Sequence, residues 1–142
     1  MLLQALGAAA AAIALPLRAL AAWNKEAFQA KTAAGALKGL GVGGAAESAD
    51  LVLEAPQIAE NGAVVPIEVT SNIPGTRSLV VVIDKNPFPL VAKFDFTEGA
   101  APYVRVNVKI GESSFVRAYA EAGGKYFTAA REVKVTIGGC GG

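Results

Sequence analysis

The chain has 142 residues, with 13 Lys and Arg against 12 Asp and Glu, one cysteine and no histidine. A formal charge of +1 gives no electrostatic basis for holding nucleic acid or an anionic membrane surface. The absence of histidine removes serine and cysteine hydrolase triads and HExxH-type metal sites, and the length suffices for one domain whose core needs no disulfide.

Residues 1–22 are an almost unbroken run of Ala and Leu, with no acidic residue before Glu26. Ala19 and Ala21 give the small-x-small pattern of a signal peptidase site, so the segment is expected to be an export signal cleaved near Ala21 or Ala22. A retained membrane anchor is the competing reading, set against a run that is short for a span and interrupted by Pro16 and Arg18. No Lys or Arg precedes the apolar stretch, which a start codon assigned too far downstream would explain. That leaves general and twin-arginine export both open.

Residues 23–49 are expected to form a helix and a linker. Trp23, Ala27, Ala30, Ala34 and Leu37 recur at steps of three or four, with Asn24 as N-cap, Gly35 as a weak point, and Gly39 and Gly41 near the end. The stretch GVGGAAESAD then has the composition of a flexible connector.

From Asp50 the apolar period changes to two. Val65, Ile67 and Val69 share one face of a strand in which Pro66 predicts a sheet edge or a bulge. Val104, Val106, Val108 and Ile110 alternate with Arg105, Asn107 and Lys109, and Val133, Val135 and Ile137 repeat the pattern. Further short apolar runs, LVLEAP, SLVVVID, PLVAKFDF, SFVRAYA and KYFTAAR, are bounded by turn signals such as NIPG, NPFP and EAGGK. Seven or eight short strands without an intervening helix predict an all-β fold, an immunoglobulin-like antiparallel β-sandwich over residues 50–137. Leu79, Val80, Val81, Val82 and Ile83 do not alternate, so both faces of that strand must be covered, either from within the chain or by a partner. They are the candidate partner interface.

In the loop DKNPFPLVAKF, Asn86, Pro87 and Pro89 predict a rigid turn, with Phe88 at its tip either a core plug or an exposed contact. Asp84, Lys85, Glu98 and Glu112 lack metal-ligand spacing and are expected on solvated faces.

The chain ends VTIGGCGG. Cys140 is flanked by Gly138, Gly139, Gly141 and Gly142, residues with little steric restriction and little tendency to pack. Such a segment, residues 138–142, is expected to be a flexible arm. No Lys, Arg or His lies beside the cysteine, so its thiol is expected near the unperturbed ~8.5, a poor catalyst alone but a good attachment point. The bland alternative is a tail thiol that only forms intermolecular disulfides, as in a Cys140-linked homodimer of an exported binding module. The terminal Gly-Gly also suggests ubiquitin-like sulfur carriers, but a β-grasp requires a crossover helix among its strands, and none is predicted here.

The terminal VKVTIGGCGG, the IAENGAVVPIEV strand and the NPFPLVAKF loop together resemble the SoxY family, the sulfur-carrier subunit of the thiosulfate-oxidising Sox system. The resemblance implies that the chain is a carrier and not an enzyme, holds no cofactor or metal, and works in the periplasm. It implies Cys140 as the site of covalent attachment and the four glycines as the arm. It implies a heterodimer with a SoxZ-like β-sandwich subunit. The implied enzymes are the haem c-containing SoxAX, which joins thiosulfate to the thiol, a SoxB-type di-manganese hydrolase, which releases sulfate, and a molybdenum and haem sulfane dehydrogenase. The family's usual leader is of the twin-arginine type, from which this N-terminus departs by lacking the basic start.

Overall fold

The computed structural model describes residues 23–136; the predicted signal segment and the predicted arm, with Cys140, lie outside the described residues. Where one helix was expected there are two short ones, α1 (Lys25–Gln29) and α2 (Ala33–Gly39). Asn24 caps α1 as predicted, its Oδ1 accepting from Ala27 N–H at 3.0 Å. The break arises because Thr32 acts as a second cap: its backbone is extended and its Oγ1 accepts from Gly35 N–H at 3.0 Å. The pair folds back on itself, with Asn24 Nδ2 donating to the Gly39 carbonyl at 2.6 Å. Gly39 permits this approach, since a Cβ there would stand 3.1 Å from the Cβ of Ala27. Trp23, expected on the buried stripe, is instead 63% exposed, and Ala27 and Ala36 take the buried positions.

Among the described residues nine strands follow: β1 (Ala46–Glu47), β2 (Leu51–Glu54), β3 (Ile58–Ala59), β4 (Val65–Ser71), β5 (Thr76–Ile83), β6 (Leu90–Asp95), β7 (Tyr103–Val108), β8 (Ser114–Ala122) and β9 (Lys125–Val135). They form the expected sandwich of two sheets. The larger runs β1-β9-β8-β5-β6, with β3 pairing further along β9, and the smaller runs β2-β4-β7. Every long ladder is antiparallel; β1 and β3 are two-residue strands that pair with β9 in parallel. The connector is therefore not a free linker, because β1 lies within it and Val42 and Ala45 pack beneath the helices.

Two strand expectations change in detail. β4 is the central strand of its sheet, not an edge, yet Pro66 is accommodated because β2 stops at Glu54, opposite Glu68. Pro66 is thus paired only with Asn107 of β7, and the ladder on its other side has already ended. KYFTAAR and EVKVTI, expected as separate strands, are the single strand β9, since no Gly, Pro or Asn interrupts them.

Strand β5 explains the layering. Leu79, Val81 and Ile83 point into the core between the sheets, together with Leu53, Ile67, Val69, Val116 and Val133. Val80 and Val82 point the other way, into a second cluster with Ala27, Ala36, Leu90 and Tyr119, roofed by α1 and α2. Burying each valine contributes about 1.5–3 kcal/mol, which is what holds helices too short to be stable alone. All five residues are no more than 3% exposed. Of the two ways of covering the candidate partner interface at Leu79–Ile83, burial from within the chain is what the described residues show: α1 and α2 lie over Val80 and Val82, and the second sheet lies over Leu79, Val81 and Ile83. Burial in this second cluster also pushes the Tyr119 phenol above its ordinary value.

Candidate functional site

The described residues end at Thr136, two residues before the predicted arm; Ile137, expected on the inward face of the last strand, lies outside them. The end of β9 is fixed on both sides. Lys134 N–H donates to the Gln57 carbonyl at 2.9 Å and Thr136 N–H to the Ala59 carbonyl at 3.1 Å, both on the β3 side. Between them Val135 N–H points the opposite way and donates to Ser113 Oγ at 2.9 Å. Successive N–H groups of a strand alternate in direction, so two neighbours are needed to hold three consecutive residues. One neighbour is the two-residue strand β3, and the other is a serine hydroxyl, because β8 begins only at Ser114, opposite Val133. Cys140 follows Thr136 by four residues. At about 3.3–3.6 Å per residue a fully extended tail carries the cysteine no more than roughly 14 Å from that anchor.

The loops around this end are tied down. Asn86, in the predicted rigid turn, donates through Nδ2 to the Lys109 carbonyl at 2.7 Å and accepts at Oδ1 from Gly111 N–H at 3.2 Å. Ser114 Oγ accepts from Lys85 N–H at 3.1 Å. Ile110, fully buried, donates its N–H to the Gly62 carbonyl at 2.7 Å. Pro89, not Phe88, is the plug: Pro89 is buried, while Phe88 is 46% exposed with Lys31 Nζ 3.6 Å from its ring centroid. Asp84, expected on a solvated face, is instead half-buried and accepts from Arg117 Nε at 3.1 and 2.9 Å through its two oxygens.

Exposed apolar side chains concentrate at the same end. Ile58, Val64, Phe88 and Phe115 lie there, on β3, the loop before β4, the loop after β5 and the start of β8. Tyr103 is at the opposite end, where its hydroxyl donates to Glu68 and that bond raises its pKa. The sequence marked Asn86 and its prolines but not Ser113, Ile58 or the Asp84–Arg117 pair. Serines in ESSF carry no signal for which strand end they will cap, and Ile58 belongs to a strand too short to show periodicity. Cys140 and its four glycines lie outside the described residues, so the structure gives the arm's anchor. Among the described residues no group of three His, Cys, Asp or Glu side chains is placed to hold a metal ion, and no helix is long and apolar enough to cross a membrane.

Fold and site together define a class: a β-sandwich roofed by helices on one face, whose last strand is fixed at its end and is followed in sequence by a glycine-rich tail with the only cysteine. The family described as "Sulfur oxidation protein SoxY" matches residues 39–140, from the end of α2 to the cysteine. Among solved structures, the sulfur carrier protein SoxY from Chlorobium limicola f thiosulfatophilum is similar, with 40% identity and a TM-score of 0.60 over 64% of this chain and 83% of that one. A superoxide reductase (neelaredoxin) from Ignicoccus hospitalis aligns over the same shares at 20% identity and a TM-score of 0.55, a likeness of fold alone. No curated protein matches the chain. The chain belongs to the SoxY family of sulfur oxidation proteins.

Proposed function

We propose that this chain is a periplasmic carrier that holds sulfur intermediates covalently on Cys140 while partner enzymes act on them. The observation that carries the proposal is the placing of the only cysteine in a glycine-flanked stretch of sequence that begins two residues after the anchored Thr136, within the span shared with the SoxY family. A relative's description as a sulfur carrier supports it. A thiol that must enter several active sites is best mounted on side chains that every partner can accommodate, and glycine has none to accommodate. The entropy lost on docking such a tail keeps each encounter weak, so the cargo can leave again.

In the proposed cycle the Cys140 thiolate and thiosulfate are joined by an S–S bond, giving a cysteine S-thiosulfonate. The two electrons released leave one at a time through the c-type haem of an enzyme of the SoxAX kind to a further electron acceptor, and the thiol proton goes to solvent. Water then cleaves the bond between the terminal sulfonate sulfur and its neighbour, a step assigned to a SoxB-type hydrolase. This releases sulfate and two protons and leaves a persulfide on Cys140. A sulfane dehydrogenase would oxidise that remaining sulfur. The chain itself supplies the attachment point and the reach, and a SoxZ-like subunit would be its permanent partner.

Replacing Cys140 by Ser should leave the thermal melting curve unchanged and abolish covalent loading. Intact-protein mass spectrometry after incubation with thiosulfate and the haem enzyme reads this directly. A mass gain in the Ser variant would overturn the assignment. If the wild-type protein from a sulfur-oxidising culture shows only a reducible doubling of mass, without sulfur adducts, the chain is instead an exported module that homodimerises through its tail.

A further inference from the structure

Strand β6 is an edge of the larger sheet: it pairs with β5 on one side and with nothing among the described residues on the other. Just past its end, Phe96 N–H donates toward β5, to the Arg77 carbonyl at 2.8 Å. Backbone groups alternate in direction along a strand, so those of Phe94 and Ala92 also turn toward β5 and those of Lys93 and Asp95 turn outward. The one irregularity in this ladder leaves Val91 unpaired, and the segment from Ala92 to Asp95 is regular. Its side chains are sorted by face. Lys93 lies opposite Val80 on the helix-covered face, where it forms an ion pair with Asp95. Phe94 lies opposite Leu79 on the core face, and there Phe94, Phe96, Val104 and Val106 close this side of the sandwich while only partly buried.

We propose that β6 pairs antiparallel with β6 of a second copy of this chain, about a two-fold axis at Phe94, giving a homodimer whose larger sheets are continuous. Backbone and charge select the same register. With the two copies of Phe94 opposed, each Lys93 faces the other copy's Asp95, and both of those residues turn their N–H and C=O groups outward, so each such pair exchanges both hydrogen bonds. Each pair also joins opposite charges across the strands. Centring the axis on Lys93 or on Asp95 would satisfy the same backbone groups but set Lys against Lys or Asp against Asp. A lone lysine on an edge strand keeps other strands away; Asp95 two residues further makes this edge complementary to itself. On the core face the two Phe94 rings meet, and the half-buried apolar strip leaves water. A strand of six residues offers far less than the roughly 800 Å² that each partner contributes to a stable complex, so the dimer is weak and its population rises with concentration. β6 and the arm's anchor lie on opposite edges of the sheet, so the dimer leaves the anchor uncovered and does not depend on the carrier reading.

The test uses the full chain with Cys140 alkylated by iodoacetamide, so that no disulfide contributes. Light scattering behind gel filtration reads the mass over a range of loading concentrations. Wild type should pass from monomer to dimer as concentration rises, and the Lys93 and Asp95 amides should gain hydrogen-exchange protection in step. Lys93→Asp and, separately, Asp95→Lys turn both opposite-charge pairs into like-charge ones and should weaken dimerisation at least roughly tenfold. The double variant restores the pairs in reverse and should dimerise like wild type, and a melting curve for each variant separates misfolding from lost pairing. Wild type that stays monomeric at every concentration would overturn the inference. Single variants that dimerise like wild type would overturn it too, placing the contact on another surface, and a double variant that melts normally yet stays monomeric would sink the register. None of these results bears on the carrier reading, which fails only if Cys140 takes up no sulfur.

Discussion

At one end of β9, Gly123 and Gly124 make the two-residue turn from β8, with φ of +59° and +76°; at the other, beyond Thr136, four glycines surround Cys140 in the sequence. The first pair sits in backbone that only glycine enters without strain, so those residues serve one fixed geometry. A two-residue hairpin turn with both φ values positive matches the twist of the flanking strands, and it sets the register that pairs Ala122 with Lys125 and, eight residues along, Ser114 with Val133. In the proposed function the second group serves the opposite end, a backbone free to take whatever path each enzyme requires. The same residue type thus fixes geometry at the hairpin and is proposed to leave it open at the arm.

Substitution at the hairpin should give the largest effect on stability. Gly124→Val forces a β-branched residue into left-handed backbone, at a cost of roughly 1–2 kcal/mol. Open space surrounds the position, so the penalty is conformational and not a clash. Thermal and denaturant melts should show that loss while thiosulfate loading of the remaining folded protein is unaltered. Substitution at the arm should reverse the pattern. Gly139→Pro fixes φ near −65° beside the cysteine. The melt should match wild type, and turnover by the enzymes acting on Cys140 should fall several-fold. If Gly139→Pro turned over at the wild-type rate, freedom of the arm would be irrelevant and the contrast between the two ends would collapse.

How far the sequence discloses these two ends is itself uneven. EAGGK between apolar runs marks the hairpin, and the alternation of Val104, Val106 and Val108 marks an inward face, because both signals are local. The SoxY resemblance was likewise readable from the tail and two motifs, since it rests on residue identity and not on packing. What stayed hidden depends on contacts distant in sequence. Val80 and Val82 announce that something covers them, but only the folded chain shows that α1 and α2 do so. Trp23 fits a helical stripe and yet is exposed: it precedes Asn24, the N-cap of α1, and the cap at Thr32 divides the expected stripe between two helices. Ile58 and Ala59 are too few to register as a strand, although they form one side of the arm's anchor.

The other side of that anchor is a single hydroxyl, and it offers the finest test of where the sandwich ends and the arm begins. Ser113→Ala removes the acceptor of the Val135 N–H and nothing larger, costing about 1 kcal/mol at that point. Lys134 and Thr136 keep their partners on β3, the Gln57 and Ala59 carbonyls. Global melting should therefore hardly move, because the long ladder between β8 and β9 ends at Val133, before the altered contact. Native-state hydrogen exchange should instead show the Val135 amide exchanging about fivefold faster, the ratio that 1 kcal/mol implies, with Val133 unaffected. Unchanged protection at Val135 would mean that β3 alone holds the strand's end. A loss of protection spreading back to Val133 would mean that the hydroxyl secures more of β9 than its one hydrogen bond, and that the arm's boundary lies further inside the sandwich than Thr136.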